Sequence, residues 1–203
     1  DTKRVFLTFD DGPSPVTSKI LDILKQENVK ATFFILGSNV DSRKDVVKRM
    51  YEEGHYLANH GYSHTYSKIY SSPQSVLDEY NECNDKVKNA IEVPDYNSHL
   101  FRFPGGLAGG KYAEIKKEAK ELLLQNNIVN VDWNALTGDA ETNNLSVEFE
   151  MTRLTETMES KNSLVILMHD AAAKSVTADA LPQIIAKLKE EGYEFKNFYD
   201  IIK

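Results

Sequence analysis

Two adjacent carboxylates, Asp10 and Asp11, end the apolar run Val5-Phe6-Leu7-Thr8-Phe9, and Gly12-Pro13 stops that run at once. The run reads as a buried strand with a turn behind it. Neighbouring acids at a strand end repel and lose hydration unless a cation neutralises one or a guanidinium the other. Without such partners they are two solvated acids in a turn. His60 and His64 stand four residues apart. One helical turn or a tight loop can aim both imidazoles at one ion, although such pairs also occur on wet faces. Joined by a carboxylate from the first strand, they make a His-His-Asp facial set with open positions. Zinc suits it first, and cobalt, nickel or iron are also accepted.

Arg102 precedes Phe103-Pro104-Gly105-Gly106. Its guanidinium could hold a catalytic carboxylate by a bidentate pair, and the glycines let a backbone N–H approach a substrate oxyanion. The plainer reading is a surface arginine before a tight turn. Asp132-Trp133 and His169-Asp170 follow. A buried Asp beside a His raises its pKa and fixes its tautomer, which suits a general acid. His169 could also be a satisfied core histidine, and Trp133 either plain core or the wall of a small apolar pocket. His55 and His99 are left to packing and solvent.

These residues need elements to position them. Strand-like runs are predicted at Val5 to Phe9, Ala31 to Leu36, Tyr56 to Asn59, Leu100 to Phe103, Ile128 to Val131 and Leu164 to Met168, with a weak one at Tyr193 to Phe195. Helical patterns lie between them, at Ser18 to Gln26, Arg43 to Glu53, Ser75 to Ile91, Tyr112 to Leu124, Val147 to Met158 and Ala178 to Glu191. Ser42 and Ser72-Pro73 offer helix starts, and Gly54 and Gly192 sit at C-cap positions. About seven strand-helix units argue for an α/β fold with a parallel sheet, a closed or nearly closed barrel being one form of it. Asp10, Asp11, His60, His64, Arg102, Asp132 and His169 all fall at or just beyond the carboxyl ends of predicted strands. Parallel α/β folds assemble their active sites there.

Bulk properties exclude several classes. The 203 residues carry a formal charge of −7 with no basic cluster, so nucleic acid and anionic membranes are poor partners. Cys83 is the single cysteine, which rules out an internal disulfide framework and a cysteine zinc cage. No run approaches a membrane span. With no domain break or internal repeat, residues 1–203 are expected to be one catalytic domain and a monomer. Beginning at Asp1 without a signal sequence, the chain is expected to be the excised catalytic part of a longer protein, with any export signal or anchor upstream.

Taken in order, Thr8 to Pro13 (TFDDGP), His60-Gly61-Tyr62-Ser63-His64, Arg102-Phe103-Pro104-Gly105, Asp132-Trp133 and Leu167-Met168-His169 resemble the sequence blocks of the polysaccharide deacetylases of carbohydrate esterase family 4, the NodB-homology domain. The resemblance spans the whole chain. It implies a distorted (β/α) barrel, metal-dependent removal of N-acetyl groups from a GlcNAc-type polysaccharide, peptidoglycan first, and a place outside a bacterial cell or on its surface as part of an exported protein. By position, it makes Asp11, His60 and His64 the metal ligands and Asp10 the base. Arg102 would hold Asp10, and His169 would be the acid tuned by Asp132. Trp133 and Leu167 would line the acetyl pocket, and the Gly105 N–H would face the oxyanion. Gly61 stands where relatives carry Ser or Thr, and Gly105 where many carry Tyr, so an aromatic wall is expected to be missing. Chitin oligomers, poly-GlcNAc or acetylxylan are the rival substrates. A carbohydrate-binding module without catalysis is the rival class.

Overall fold

Alternation along the strands decides which side chains meet. In the computed structural model, which describes residues 2–202, β1 runs from Arg4 to Asp10. Val5, Leu7 and Phe9 belong to the main core under the helices, while Phe6 belongs to a separate inner cluster with Phe34, Tyr56, Ala58 and Leu100. By the same period of two, Thr8 and Asp10 face inward with Phe6. The strands β2 (Thr32–Ile35), β3 (Tyr56–Asn59), β4 (Leu100–Phe101), β5 (Val129–Asn130), β6 (Ala135–Leu136), β7 (Ser163–His169) and β8 (Glu194–Lys196) complete a parallel sheet. Its order is β5-β4-β3-β2-β1-β7-β6, with β8 paired to β1 off this path.

The distortion of the barrel has a local cause. β7 takes one edge of β1 along Arg4–Asp10, so β2 and β8 share the other, β8 against Arg4 to Phe6 and β2 against Thr8 to Asp10. At the opposite side, β5 and β6 end the sheet, and residues 131–134 cross between them. Val131 N–H donates to the Phe101 carbonyl at 2.9 Å and Asn134 N–H to the Val165 carbonyl at 3.1 Å. The expected distorted (β/α) barrel is therefore the observed architecture.

Seven α-helices cover the outside of the described residues: α1 (Pro15–Gln26), α2 (Lys44–Glu52), α3 (Tyr66–Ile69), α4 (Pro73–Ile91), α5 (Ala113–Gln125), α6 (Val147–Met158) and α7 (Ser175–Glu190). Helix α1 starts three residues before the predicted Ser18 because Ser14 caps it, accepting from Val16 N–H, with Pro15 in the first turn. Its Ile20, Leu21 and Leu24 are fully buried, each such side chain stabilising by roughly 1.5–3 kcal/mol. Ser72 caps α4 as predicted. Ser42 does not cap α2, which begins at Lys44 after a 3-10 turn; its hydroxyl donates to the Asn39 carbonyl instead. Gly54 and Gly192 follow α2 and α7 with φ of +87° and +82°, the left-handed turn that ends a helix. Two short elements, α3 and β6, were not predicted. Among the described residues, no helix is long and apolar enough to cross a membrane.

Candidate active site

β1 and β7 are in register, with Asp10 opposite His169, and both side chains stand on the inner face at the carboxyl end. Asp10 is 3% exposed, a costly place for a carboxylate without a partner. Arg102, fully buried on the strand end beyond β4, supplies that partner: its Nη1 donates to Asp10 Oδ1 at 2.9 Å and to Thr8 Oγ1 at 2.8 Å. Its Nε donates to the Val131 carbonyl and its Nη2 to the Asp132 carbonyl, at 3.0 and 2.9 Å. The guanidinium also lies 4.0 Å from the ring centroid of Phe34. One side chain thus ties β1 to the segment that bridges the gap between β5 and β6.

Asp11 leaves the strand with φ +80°, a strained conformation for a residue with a Cβ, and this turns its carboxylate toward β3. There, Asp11 Oδ1 lies 3.4 Å from His60 Nε2 and 3.5 Å from His64 Nε2. His60 Nδ1 faces the Arg102 carbonyl at 2.6 Å. A carbonyl only accepts, so Nδ1 carries a proton and Nε2 faces the cluster, its lone pair available to a cation once its own proton is lost. Among the described residues, Asp11 Oδ1 is buried with no hydrogen-bond partner. Burial alone would raise the Asp11 pKa, but the imidazoles of His60, His169 and His64 hold it at about 2. An orphaned carboxylate oxygen and two imidazole nitrogens, all within 4.8 Å of one another, fit a divalent cation.

The loop between the two histidines is clamped from α4. The Glu79 carboxylate accepts from Tyr62 N–H at 3.3 Å, from Ser63 N–H at 3.2 Å and from the Ser63 hydroxyl. Asn59 Oδ1 accepts from Gly61 N–H at 2.9 Å. These bonds hold Gly61 and His64 at φ +82° and +55° and bring His64 back over the site.

On the far side, His169 Nδ1 donates to Asp139 Oδ1 at 2.7 Å, and its backbone N–H to Asp139 Oδ2 at 2.8 Å. Asp139, not the expected Asp132, is therefore the carboxylate paired with His169. Burial opposes the imidazolium, yet the bond and charge of Asp139, with Asp10 and Asp11 nearby, raise its pKa to about 9. Asp132 does something else. Its carboxylate accepts from Leu107 N–H at 3.2 Å, while its carbonyl accepts from Arg102, and so it holds the Gly105–Gly106 turn. The Asp170 carboxyl also turns away from His169, accepting from Gly12 N–H at 3.0 Å and Thr17 Oγ1 at 2.7 Å. Burial, reinforced by Asp11 and Asp10, pushes it up to about 7.

A cleft of about 460 Å³ joins these groups; Asp10, Asp11, His60, His64 and His169 line it, with Gly105, Trp133 and Leu167. All the residues expected at the site except Asp132 and Arg102 thus share one cavity wall, and Arg102 reaches it through its bond to Asp10. Tyr66, from the unpredicted α3, lines it too. A Cβ on Gly105 would stand 2.6 Å from Tyr66 Oη, so the aromatic wall expected to be missing comes from a different segment. The sequence signals for these residues are Tyr66 two residues after His64, and the pair Gly138-Asp139 five and six residues beyond Trp133. His55 is packing only: it is fully buried, accepts from Ala31 N–H at 3.0 Å, and is driven down to about 4 mainly by burial.

Comparisons with known proteins agree with this arrangement. The family model described as polysaccharide deacetylase matches residues 1–125. YheN of Bacillus subtilis is 38% identical over 200 residues, 95% of this chain and 66% of that protein. A peptidoglycan-N-acetylglucosamine deacetylase of Bacillus cereus is 34% identical over 203 residues, 98% of this chain and 71% of that protein. The chain thus spans about two thirds of the length of these curated relatives. The solved structure of a Streptococcus mutans CE4 esterase superposes with a TM-score of 0.88 at 36% identity, covering 97% of this chain and 86% of that one. With the family model across more than half its length and these relatives across nearly all of it, the chain belongs to the polysaccharide deacetylases of carbohydrate esterase family 4, a family of hydrolytic deacetylases.

Proposed function

We propose that this chain removes acetyl groups from N-acetylglucosamine residues of peptidoglycan, using a divalent cation held by Asp11, His60 and His64. The observation that carries the reading is a pair of prepared groups in the cavity of that cluster: Asp10, held by Arg102, and His169, held by Asp139. A bound cation supplies Lewis-acid polarisation of the acetamide carbonyl. Zinc suits the donor set, and cobalt, nickel or iron would also be accepted.

The protein's own groups carry the protons. Arg102 occupies Asp10 Oδ1, and Asp10 Oδ2 stands 3.7 Å from His60 Nε2, placed to take a proton from a water attacking the acetyl carbon. Negative charge then gathers on the carbonyl oxygen, where the Gly105 N–H stabilises it. With a pKa of about 9, His169 is protonated at neutral pH and gives its Nε2 proton to the nitrogen as the C–N bond breaks. Acetate and a free amine leave. Trp133 and Leu167 wall the cavity where the acetyl methyl would sit, and Asp132 acts by holding the Gly105 turn.

The peptidoglycan substrate is supported by the Bacillus cereus relative's name, and on this reading the chain works outside the cytoplasm as an exported monomer. The test is release of free amine from peptidoglycan and from GlcNAc oligomers, before and after chelation and after adding zinc. Loss on chelation and recovery with zinc are expected, with peptidoglycan preferred. Chelator-insensitive release would remove the cation from the reading, and acetate from acetylxylan without amine from either substrate would replace the substrate.

A further inference from the structure

Behind His169, a second buried carboxyl lies outside the chemistry described so far. Glu150, on α6, is fully buried. Its Oε1 is 3.2 Å from Thr177 Oγ1, and Thr177 Oγ1 is 2.8 Å from Asp139 Oδ2, the oxygen that also accepts from His169 N–H. Among the described residues, Oε2 of Glu150 has no hydrogen-bond partner.

The proton count along this row is restrictive. Thr177 has one hydroxyl proton and two carboxyl neighbours. Given to Asp139, it leaves the Glu150–Thr177 contact without a proton unless Glu150 carries one. Given to Glu150, it sets a bare hydroxyl oxygen against the Asp139 anion at 2.8 Å. Asp139 accepts from both the ring and the backbone of His169, contacts that an anion meets on both oxygens. The order that satisfies every contact is Glu150 O–H to Thr177, Thr177 O–H to Asp139, and His169 N–H to Asp139 from the other side. We propose that Glu150 is a neutral carboxylic acid that donates through Thr177 and so positions Asp139 as the anionic partner of His169.

The groups facing Glu150 agree with this assignment. Asp139 and burial both disfavour a second anion, while Thr137, Thr177 and Lys174 favour it, and the balance pushes Glu150 up to about 7. The Lys174 ammonium is engaged elsewhere, donating to the Asp139 carbonyl at 2.6 Å. Glu150 is thus a positioning residue. Its effect on turnover rests on His169 being the acid proposed above; the order of the protons does not.

The test is NMR titration of the zinc-loaded protein, read without turnover. With glutamate carboxyl carbons labelled, one resonance is expected to titrate at about 7 or above, and to vanish in Glu150→Gln. All carboxyls titrating below about 5 would overturn the proposal without any variant. With histidine labelled, the His169 ring should show a second inflection at the Glu150 midpoint, below its own, that Glu150→Gln removes. A His169 titration curve of the same shape in the wild type and in Glu150→Gln would also overturn it. Thr177→Val takes a donor from Asp139, so its His169 midpoint should rise; an unmoved midpoint would sever the proposed chain.

Discussion

Arg102 Nη1 bonds Asp10 Oδ1 at 2.9 Å with both side chains buried, and the same guanidinium reaches the carbonyls of Val131 and Asp132. A structural closure and a chemical one are made by one side chain. Arg102→Met should therefore damage both. Leaving the Asp10 charge buried and unpaired costs about 3–5 kcal/mol, to be measured as a lower urea midpoint. Arg102→Lys should recover little, because a compact ammonium cannot span the four partners of the planar fork.

Asp139 and Asp132 have different neighbours and should have different mutants. Asp139→Asn removes the charge that holds His169 at about 9, so the alkaline limb of kcat/KM should move toward the ordinary histidine value near 6.5. Asp132→Asn should lower the rate while leaving that limb in place. The same pair contributes to stability with a fixed sign. A folded pKa raised above the unfolded one stabilises fully below about 6.5, and that contribution fades as pH rises through about 9. Denaturation midpoints of the wild type and Asp139→Asn should accordingly converge at high pH.

Metal retention separates Asp10 from Asp11. Calorimetric titration with zinc should show stoichiometric binding lost in Asp11→Asn and His60→Ala. In Asp10→Asn it should be kept while turnover falls about 10²–10⁴-fold, the usual contribution of a general base. Near-normal turnover in Asp10→Asn would remove the base assignment.

Glu79 touches no proposed ligand, yet it sets the loop that carries His64. Glu79→Ala releases the acceptor shared by Tyr62 N–H, Ser63 N–H and the Ser63 hydroxyl. Zinc affinity should weaken by about 10–100-fold, as it does for other supporting contacts of metal ligands. Thermal unfolding of the metal-free protein should change far less.

Gly105→Ala places a Cβ 2.6 Å from Tyr66 Oη at φ +81°, a backbone conformation costing about 1–2 kcal/mol once a Cβ is present. Both KM and kcat should suffer. Adding Tyr66→Phe removes the closest atom, and the double variant should regain part of kcat/KM while retaining the backbone cost.

The inner row of Asp10, Arg102 and His169 was legible in the sequence. Strand period and the turn residues put these groups at carboxyl ends, and the apolar runs of β1 and β7 are long enough to be unmistakable. Asp11, His60 and His64 were legible for a related reason: each follows its strand by five residues or fewer, so chain continuity carries them to the same end of the barrel. The partner of His169 was not. β6 has two residues, too short for any periodicity to register, and the loop after it brings Asp139 to a histidine 30 residues away. Asp132, next to the expected Trp133, looked equivalent by spacing alone, but its carboxylate is taken by Leu107 N–H across the turn. Tyr66 and Gly105 likewise meet only through the packing of a four-residue helix on a loop 39 positions later. Local sequence therefore determined which strand end each chemical group occupies, because strand periodicity and turns act over a few residues. The hydrogen-bond partners were decided by tertiary structure, because a bond between distant segments depends on how the barrel closes.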